Sequence, residues 1–183
     1  AQPGGIADVE AAVPQVVLLL GADEVDPARF AGSFKVYVGH HGDNGARQAD
    51  LVLPAAAYAE KHGTWVNTEG RVQRAERAAF PPGEAREDWT IFRAVSDLLG
   101  APLPFDTLDQ LRKAMAKDHP QLGSEGLLKL DWAPPKLESK AAGKVRYPIA
   151  DFYLTNAIAR SSPTLHECSR VILNAEPETL EAA

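Results

Sequence analysis

Polar residues that could take part in chemistry follow two apolar segments in the first half of the chain. Asp23 and Glu24 come just after the apolar run Val16–Leu20, and the pair His40–His41, with Asp43 close by, follows the second run. Adjacent side chains on an extended segment point to opposite sides, so a metal site would need Asp43 or distant residues to complete its ligand set. A polar loop, in which glycines shape the backbone and the histidines make local hydrogen bonds, is the simpler interpretation.

A second group of polar side chains surrounds a predicted turn. Asn67, Glu69, Arg71 and Gln73 occupy alternate positions around a glycine that can adopt a positive φ and reverse the chain, so we expect a β-hairpin or a tight bend. An asparagine that opens the turn and an ion pair between Glu69 and Arg71 would both serve the backbone alone. Upstream, Glu60–His62 offers acid and base groups without a positioned nucleophile, which is more typical of a solvated face.

The strands that would position these residues are predicted by three short apolar runs, Gln15–Leu20, Phe34–Gly39 and Leu51–Leu53. The loops after them begin with glycine or proline, as is usual for buried strands of a parallel sheet. Ligands of open α/β sheets bind at such strand ends. The connection Arg47–Asp50 is too short for a crossover helix, so the second and third strands need not be neighbours in the sheet.

Two amphipathic helices are predicted downstream of the turn. The segment Arg86–Leu99 carries apolar residues at helical spacing and is followed by a stop signal at Gly100. Thr107 and Gln110 form a capping-box pattern at the start of the second helix, which ends before Pro120. The residues expected on the core face of the first helix are Ile91, Phe92, Val95, Leu98 and Leu99.

The chain loses its periodicity after the second helix. Residues 121–148 are rich in glycine, proline and polar residues and predict an irregular linker. Ser162 followed by Pro163 then predicts the start of a short helix, whose apolar stripe must dock on another surface. We therefore expect part of an α/β domain over residues 1–120, an irregular linker over 121–148 and a C-terminal docking tail over 149–183.

Composition and charge exclude several classes of protein. The formal net charge of −6 leaves no basic stripe for a phosphate backbone, so nucleic acid is not an expected partner. No apolar run approaches the roughly 20 residues needed to cross a bilayer, so we expect no membrane span. With Cys168 as its one cysteine, the chain cannot build an iron–sulfur cluster or a thiolate zinc site from its own residues. A start at Ala1 without a signal-like segment indicates a piece of a longer polypeptide.

The most specific motif is the stretch Ala49–Gln73, ADLVLPAAAYAEKHGTWVNTEGRVQ. It resembles the family that includes formate dehydrogenases, nitrate reductases and the large iron–sulfur subunit of respiratory complex I. The resemblance implies part of a molybdopterin-oxidoreductase-like α/β domain, an open and mostly parallel sheet with flanking helices, followed by an irregular and helical tail. It is closer to the complex I subunit because of the segments Gly39–Asp43, Gly45–Ala46, Pro82–Gly83, Ala85–Trp89, Leu103–Gln110, Asp151–Tyr153 and Ser161.

The same resemblance bears on the end of the first strand. Catalytic members of the family carry Gly-x-Asn-Pro there, where backbone and asparagine face a pterin nucleotide. Here the residues are Gly21–Glu24, and two carboxylates are electrostatically unfavourable beside a diphosphate. The departure implies a vacated cleft, with no catalytic, metal-binding or cofactor-binding residue, although a role of Asp23 in reading a ribose or guanine stays open. The vestigial lining of that cleft would be Asp23, Asn67, Glu69, Arg71 and Gln73.

For function, the resemblance implies a structural, non-redox segment of proton-translocating NADH:quinone oxidoreductase, complex I. Electron transfer from NADH to quinone would run through 2Fe–2S and 4Fe–4S clusters in the upstream part of the subunit, with FMN elsewhere in the complex. Other peripheral-arm subunits would be the partners. The location implied is the peripheral arm, on the cytoplasmic side of the bacterial inner membrane or the matrix side in mitochondria.

Two alternatives belong to other classes of protein. A fragment of a catalytic molybdopterin oxidoreductase such as a formate dehydrogenase would share the stretch Ala49–Gln73. A free-standing α/β binding module that kept the motif would fold cooperatively alone and stay monomeric.

Overall fold

The computed structural model describes residues 6–127 and 149–173, which form two compact units. The first unit contains residues 6–37, 41–51 and 149–173, and the second contains residues 38–40 and 52–127. Most of the predicted linker, residues 128–148, and the end of the predicted tail, residues 174–183, lie outside the described residues.

The described residues form short helices and strands. Up to residue 54 the elements are α1 Ile6–Ala11, β1 Val16–Leu20, a 3₁₀ turn Pro27–Phe30, β2 Phe34–Gly39, α2 Asn44–Gln48 and β3 Leu51–Pro54. The elements that follow up to residue 127 are β4 Gly63–Val66, β5 Arg71–Ala75, α3 Asp88–Leu98, α4 Leu108–Asp118, a 3₁₀ turn Pro120–Leu122 and β6 Gly126–Leu127. The described tail, residues 149–173, contains α5 Ala157–Arg160, α6 Pro163–Cys168 and a π-helical turn Ser169–Leu173. The α/β class predicted from the sequence is confirmed.

The first sheet has the strand order β1-β2-β3. Its second and third strands are neighbours, a pairing that the sequence left open. Asp50 N–H donates to the carbonyl of Lys35, and Ala55 N–H donates to that of Gly39, so the pairing advances in the same direction along both strands. The connection was expected to be too short for a helix, yet the five-residue α2 fits between the strands because its first turn starts directly after Asp43.

Burial along this sheet differs from the prediction of strands covered on both faces. In β1 the side chains of Val17 and Leu19 are 7% and 5% exposed and form the core with Phe30 and Tyr37. Because successive side chains of a strand point to opposite faces, a continuous apolar run does not reveal which face is covered. The residues of β1 on the opposite face are about half exposed, namely Val16, Leu18 and Leu20.

The predicted hairpin is confirmed in the second unit. Strands β4 and β5 pair antiparallel, with Trp65 opposite Gln73 and Val66 opposite Val72. Gly70 adopts a φ of +81° in the turn, a conformation that glycine tolerates best. The two-residue β6 pairs with β5 within a stretch that the sequence predicted to be irregular.

Both predicted helices of the second unit are present. The capping box of α4 is complete, because the Thr107 hydroxyl accepts from Gln110 N–H while the Gln110 side chain accepts from Thr107 N–H. The expected core face of α3 is partly wrong: Leu98 and Leu99 are 88% and 76% exposed. The buried residue of that helix is Ser96, whose hydroxyl accepts from the Leu103 N–H and ties the following loop to the helix.

The tail carries its own set of caps. The Asn156 side chain accepts from Ala159 N–H at the start of α5, and the predicted helix start at Ser162 is confirmed by its bond from Leu165 N–H. Asp151 accepts from the hydroxyl of Ser169, which closes this segment on itself. Among the helices of the described ranges, none has the length and apolar character needed to cross a bilayer.

Candidate functional site

The ends of β1 and β2 carry a cluster of charged side chains. The loop after β1 supplies Asp23, which is 7% exposed, and Glu24, while Asp43 precedes α2. The guanidinium of Arg160, at the end of α5, lies among these carboxylates. Its Nη2 is 2.7 Å from Asp23 Oδ2 and its Nη1 is 3.4 Å from Glu24 Oε1, while its Nε donates to Asp43 Oδ2.

The tail itself positions the guanidinium. Arg160 Nη1 donates to the carbonyl of Leu154 at 3.1 Å, and the backbone carbonyl of Arg160 lies 2.7 Å from His166 Nε2. Because α5 ends at Arg160 and α6 starts three residues later, these local bonds hold the side chain in one direction. The cluster is therefore built by one turn of the tail and two strand ends.

Electrostatics follow from this geometry. The Arg160 side chain is 18% exposed, so it interacts with the carboxylates in a medium less polar than water. Hydrogen bonding from Arg160 lowers the pKa of the Asp43 carboxyl below its ordinary value of 3.8. Burial raises the pKa of the Tyr37 phenol above 10.0, and the charges of Asp23 and Asp43 add to that rise. Asp43 is thus held ionised and Tyr37 neutral.

The residues at this strand end do not fit a pterin nucleotide. A diphosphate there would meet the carboxylates of Asp23 and Glu24, and the positive charge of Arg160 is already shared among three carboxylates. Asp23 is buried and bonds to Arg160, and the vacated cleft stays a prediction.

The other predicted cleft residues lie together in the second unit, on the β4–β5 hairpin. Asn67, Glu69, Arg71 and Gln73 are all exposed. Asn67 Oδ1 accepts from the N–H groups of Glu69 and Arg71 at 3.0 and 2.9 Å, and Glu69 Oε2 is 3.8 Å from Arg71 Nε. These contacts match the backbone interpretation made from the sequence. Asp23 belongs to the first unit and is not part of this hairpin.

The side chains of Glu60–His62 also have hydrogen-bond or ion-pair partners. Glu60 accepts from Ala57 N–H, Lys61 pairs with Asp88, and His62 Nδ1 lies 2.7 Å from Glu76. A cavity of about 220 Å³ adjoins them, lined in part by apolar side chains of Trp89, Leu108 and Met115. Lys61 and His62 also line this cavity, and both are already paired with carboxylates.

The histidine pair follows the last residue of β2. His40 is exposed and His41 is half-buried. In the part of the chain that the structure describes, no group of three His, Cys, Asp or Glu residues could hold a metal ion.

Sequence reasoning did not identify Arg160 as part of the site. Asp43 was weighed only as a further ligand beside the histidine pair and as part of the Gly39–Asp43 motif. It lies 117 residues from Arg160, and Asp23 lies 137 residues from it. No local spacing can pair residues so far apart. The remaining signal was a pair of carboxylates after an apolar strand with no nearby cation to balance them.

Comparison with known proteins defines the class to which this fold and strand-end site belong. The chain belongs to the molybdopterin oxidoreductase family, because the model of that family matches residues 4–98, more than half of its length. A second model, which describes the C-terminal region of one NADH-ubiquinone oxidoreductase component, matches residues 124–168. The family resemblance seen in the sequence is confirmed.

Three curated relatives carry the name of one complex. The mitochondrial 78 kDa subunit of NADH-ubiquinone oxidoreductase from Neurospora crassa is 45% identical over 94% of this chain and 25% of the relative. The 78 kDa subunit from Candida albicans is 43% identical over 83% of this chain, and the 75 kDa subunit from Reclinomonas americana is 41% identical over 85%, each over 23% of the relative. The chain thus spans about a quarter of the length of these relatives. They favour the complex I hypothesis over the formate dehydrogenase alternative.

Proposed function

We propose that this chain is a structural, non-redox segment of the large iron–sulfur subunit of proton-translocating NADH:quinone oxidoreductase, complex I. The observation that carries the proposal is the strand-end cluster, in which Asp23 and Asp43 hold the Arg160 guanidinium where open α/β sheets bind their ligands. A cleft filled by an internal ion cluster serves packing. Of the residues that the sequence assigned to its vestigial lining, Asp23 is the one that belongs to the first unit.

The similarity to complex I subunits supports the rest of the proposal. The proposal places the 2Fe–2S and 4Fe–4S clusters in an upstream part of the subunit, and the single cysteine of this chain, Cys168, could not hold one by itself. Electrons from NADH pass through FMN and these clusters to quinone. The partners are other peripheral-arm subunits, on the cytoplasmic side of a bacterial inner membrane or the matrix side in mitochondria, and residues 149–183 act as the docking tail.

Affinity purification of the intact assembly through the subunit that carries this chain tests the proposal. Mass spectrometry should find flavin-binding and membrane subunits, and the preparation should reduce quinone with NADH. Elemental analysis should find iron without stoichiometric molybdenum. Stoichiometric molybdenum with formate or nitrate activity would overturn the proposal in favour of a catalytic relative, and recovery of a monomer without partners would favour the free-standing module. A parallel preparation from untagged cells is the matched control.

A further inference from the structure

We infer that Arg160 closes the strand-end position of the first unit from within, so that the tail of this chain takes the place that an external ligand would occupy. The inference rests on the proposed function for the statement that the position takes no pterin nucleotide. Beyond that function, it states which group occupies the strand-end position: the guanidinium of Arg160, in the segment of residues 151–173.

The first argument is that four of the five donors of the guanidinium bond within the chain. An arginine has five N–H donors in a planar fork. In Arg160 the Nε donates to Asp43, Nη2 donates to Asp23, and Nη1 donates to Glu24 and to the Leu154 carbonyl. These bonds come from both edges of the fork and reach two separate strand ends. A lysine could supply the charge but not this planar arrangement.

The second argument is mutual dependence. With Arg160 in place, Asp23 and Asp43 are 7% and 13% exposed, so the arginine is the main partner of both charges. Breaking a buried pair by removing one partner is costly because the remaining charge is left unpaired. Tail and strand ends therefore stabilise each other through one side chain.

The third argument is the close packing of Tyr37 and Gly45 next to the cluster. Tyr37 is 2% exposed, and its ring lies against Gly45 in the first turn of α2. A Cβ at Gly45 would come within 2.4 Å of the Tyr37 ring, so this position admits only a glycine without movement of the ring. The Tyr37 ring is thus closely packed against α2, which begins directly after Asp43.

The experiment measures hydrogen exchange in the intact complex with Arg160→Ala in the subunit that carries this chain. Amides of residues 151–173 and of the loop after β1 should exchange on the order of tenfold faster, or more, than in the wild type. Arg170→Ala is the matched control, because Arg170 is exposed and pairs with Glu167 inside the tail. That variant should exchange like the wild type at the strand ends. Unchanged exchange of both segments in Arg160→Ala overturns the inference.

Chemical rescue tests whether the vacated place is shaped for a guanidinium. Ethylguanidinium, at concentrations far below those that unfold proteins, should slow the tail exchange of Arg160→Ala, while ethylammonium at the same ionic strength should not. Equal rescue by both cations overturns the specific site. If Arg160→Ala does not assemble, Arg160→Lys serves instead: exchange faster than in the wild type supports the inference, and exchange identical to the wild type overturns it.

These outcomes are separate from those of the proposed function. Molybdenum in the wild-type complex would overturn the function whatever the tail does. Unchanged tail exchange in an active, molybdenum-free complex would overturn the role of Arg160 and leave the function standing.

Discussion

Asp23 in the first unit and Asn67 in the second are polar residues that follow a strand, yet their partners differ in kind. Asp23 is buried and bonds to an arginine 137 residues away. Asn67 is exposed and accepts from backbone N–H groups two and four residues away. A polar residue after a strand can therefore serve the tertiary structure or the local turn, and burial with a distant partner distinguishes the two.

The difference also concerns electrostatic strength. Charges removed from water interact more strongly and are screened less than those on the surface. The Arg160 cluster should therefore respond to substitution far more than the Glu69–Arg71 pair of the hairpin, whose side chains are 68% and 47% exposed. Substitutions in the two regions, ranked by expected effect, test this contrast.

Asp23→Ala should have the largest effect. Removing one member of a pair this buried costs about 3 kcal/mol, because Arg160 loses a partner that water replaces poorly. The measurement is the free energy of local opening of residues 151–173 from native-state hydrogen exchange in the intact complex. Glu24→Ala is the matched control, since Glu24 lies in the same loop but is 69% exposed, and its loss should stay below about 1 kcal/mol. Equal losses in the two variants would contradict the role assigned to burial.

Gly45→Ala comes next. A Cβ within 2.4 Å of the Tyr37 ring overpacks the contact between α2 and that ring, which should lower the free energy of unfolding by up to about 3 kcal/mol. Alanine regains about 1 kcal/mol of helix propensity, so the net loss should be about 2 kcal/mol. Thermal unfolding of the purified subunit or hydrogen exchange of α2 can measure it. Gly42→Ala, where no atom lies within 4 Å of the added Cβ, is the control and should be close to neutral. A loss as large at Gly42 would show that the backbone, not the ring, limits this segment.

Acidification should release the tail by a smaller amount, because protonated carboxyl groups still form hydrogen bonds. The pKa of Asp43 is lowered in the folded state. Its contribution to stability is therefore complete above pH 3.8, the ordinary pKa, and is lost as the pH falls below that value. The pKa of Tyr37 is raised, so its contribution is complete below pH 10.0 and is lost as pH rises further. The charged groups facing this pair are Asp23, Glu24 and Arg160.

Protection of residues 151–173, corrected for intrinsic exchange, is the measurement for this pH dependence. In the wild type this protection should be constant between the acid and alkaline pH ranges in which it falls. Asp43→Asn, which cannot ionise at this position, should lose most of the fall at acid pH, here called the acid edge. An acid edge unchanged in Asp43→Asn would assign the titration to another carboxyl group.

The same contrast explains which features of the two regions could be predicted from the sequence. Turns, caps and hairpins depend on residues within a few positions of each other, so the Asn67 turn, the Thr107 capping box and the Ser162 cap were all predicted. The fold class and strands followed from local apolar runs. The Arg160 cluster depends on how the tail packs against the strand ends, and no local pattern in the sequence contains that information.

Local sequence patterns also could not predict which residues of α3 are buried, because burial depends on how the helix packs. Ser96 is buried because its hydroxyl bonds within α3 and to the following loop, whereas Leu98 and Leu99 lie at the helix end, where the chain turns away at Gly100. Helical spacing places all of these residues on predictable faces. It cannot tell where the neighbouring surface stops.

Asn67→Ala should have a modest effect of about 1 kcal/mol, because two backbone N–H groups of an exposed turn lose one shared acceptor and water replaces it in part. Hydrogen exchange of residues 63–75 measures the loss. Asn67→Asp keeps an acceptor oxygen and should stay within about 0.5 kcal/mol of the wild type. If instead Asn67→Ala left the hairpin unchanged and lowered NADH:quinone activity, Asn67 would serve something other than the turn.

The smallest effect is expected for the Glu69–Arg71 pair. A double-mutant cycle with Glu69→Ala and Arg71→Ala should give a coupling energy near 0.3 kcal/mol, because both side chains are exposed and their closest N and O atoms are 3.8 Å apart. The same cycle on Asp23 and Arg160 should give a coupling several times larger, since that pair is buried and bonded at 2.7 Å. A coupling above about 1 kcal/mol in the hairpin could not come from this exposed geometry. It would mean that another surface covers the hairpin in the assembled complex, and the contrast between the two regions would then apply to this chain alone.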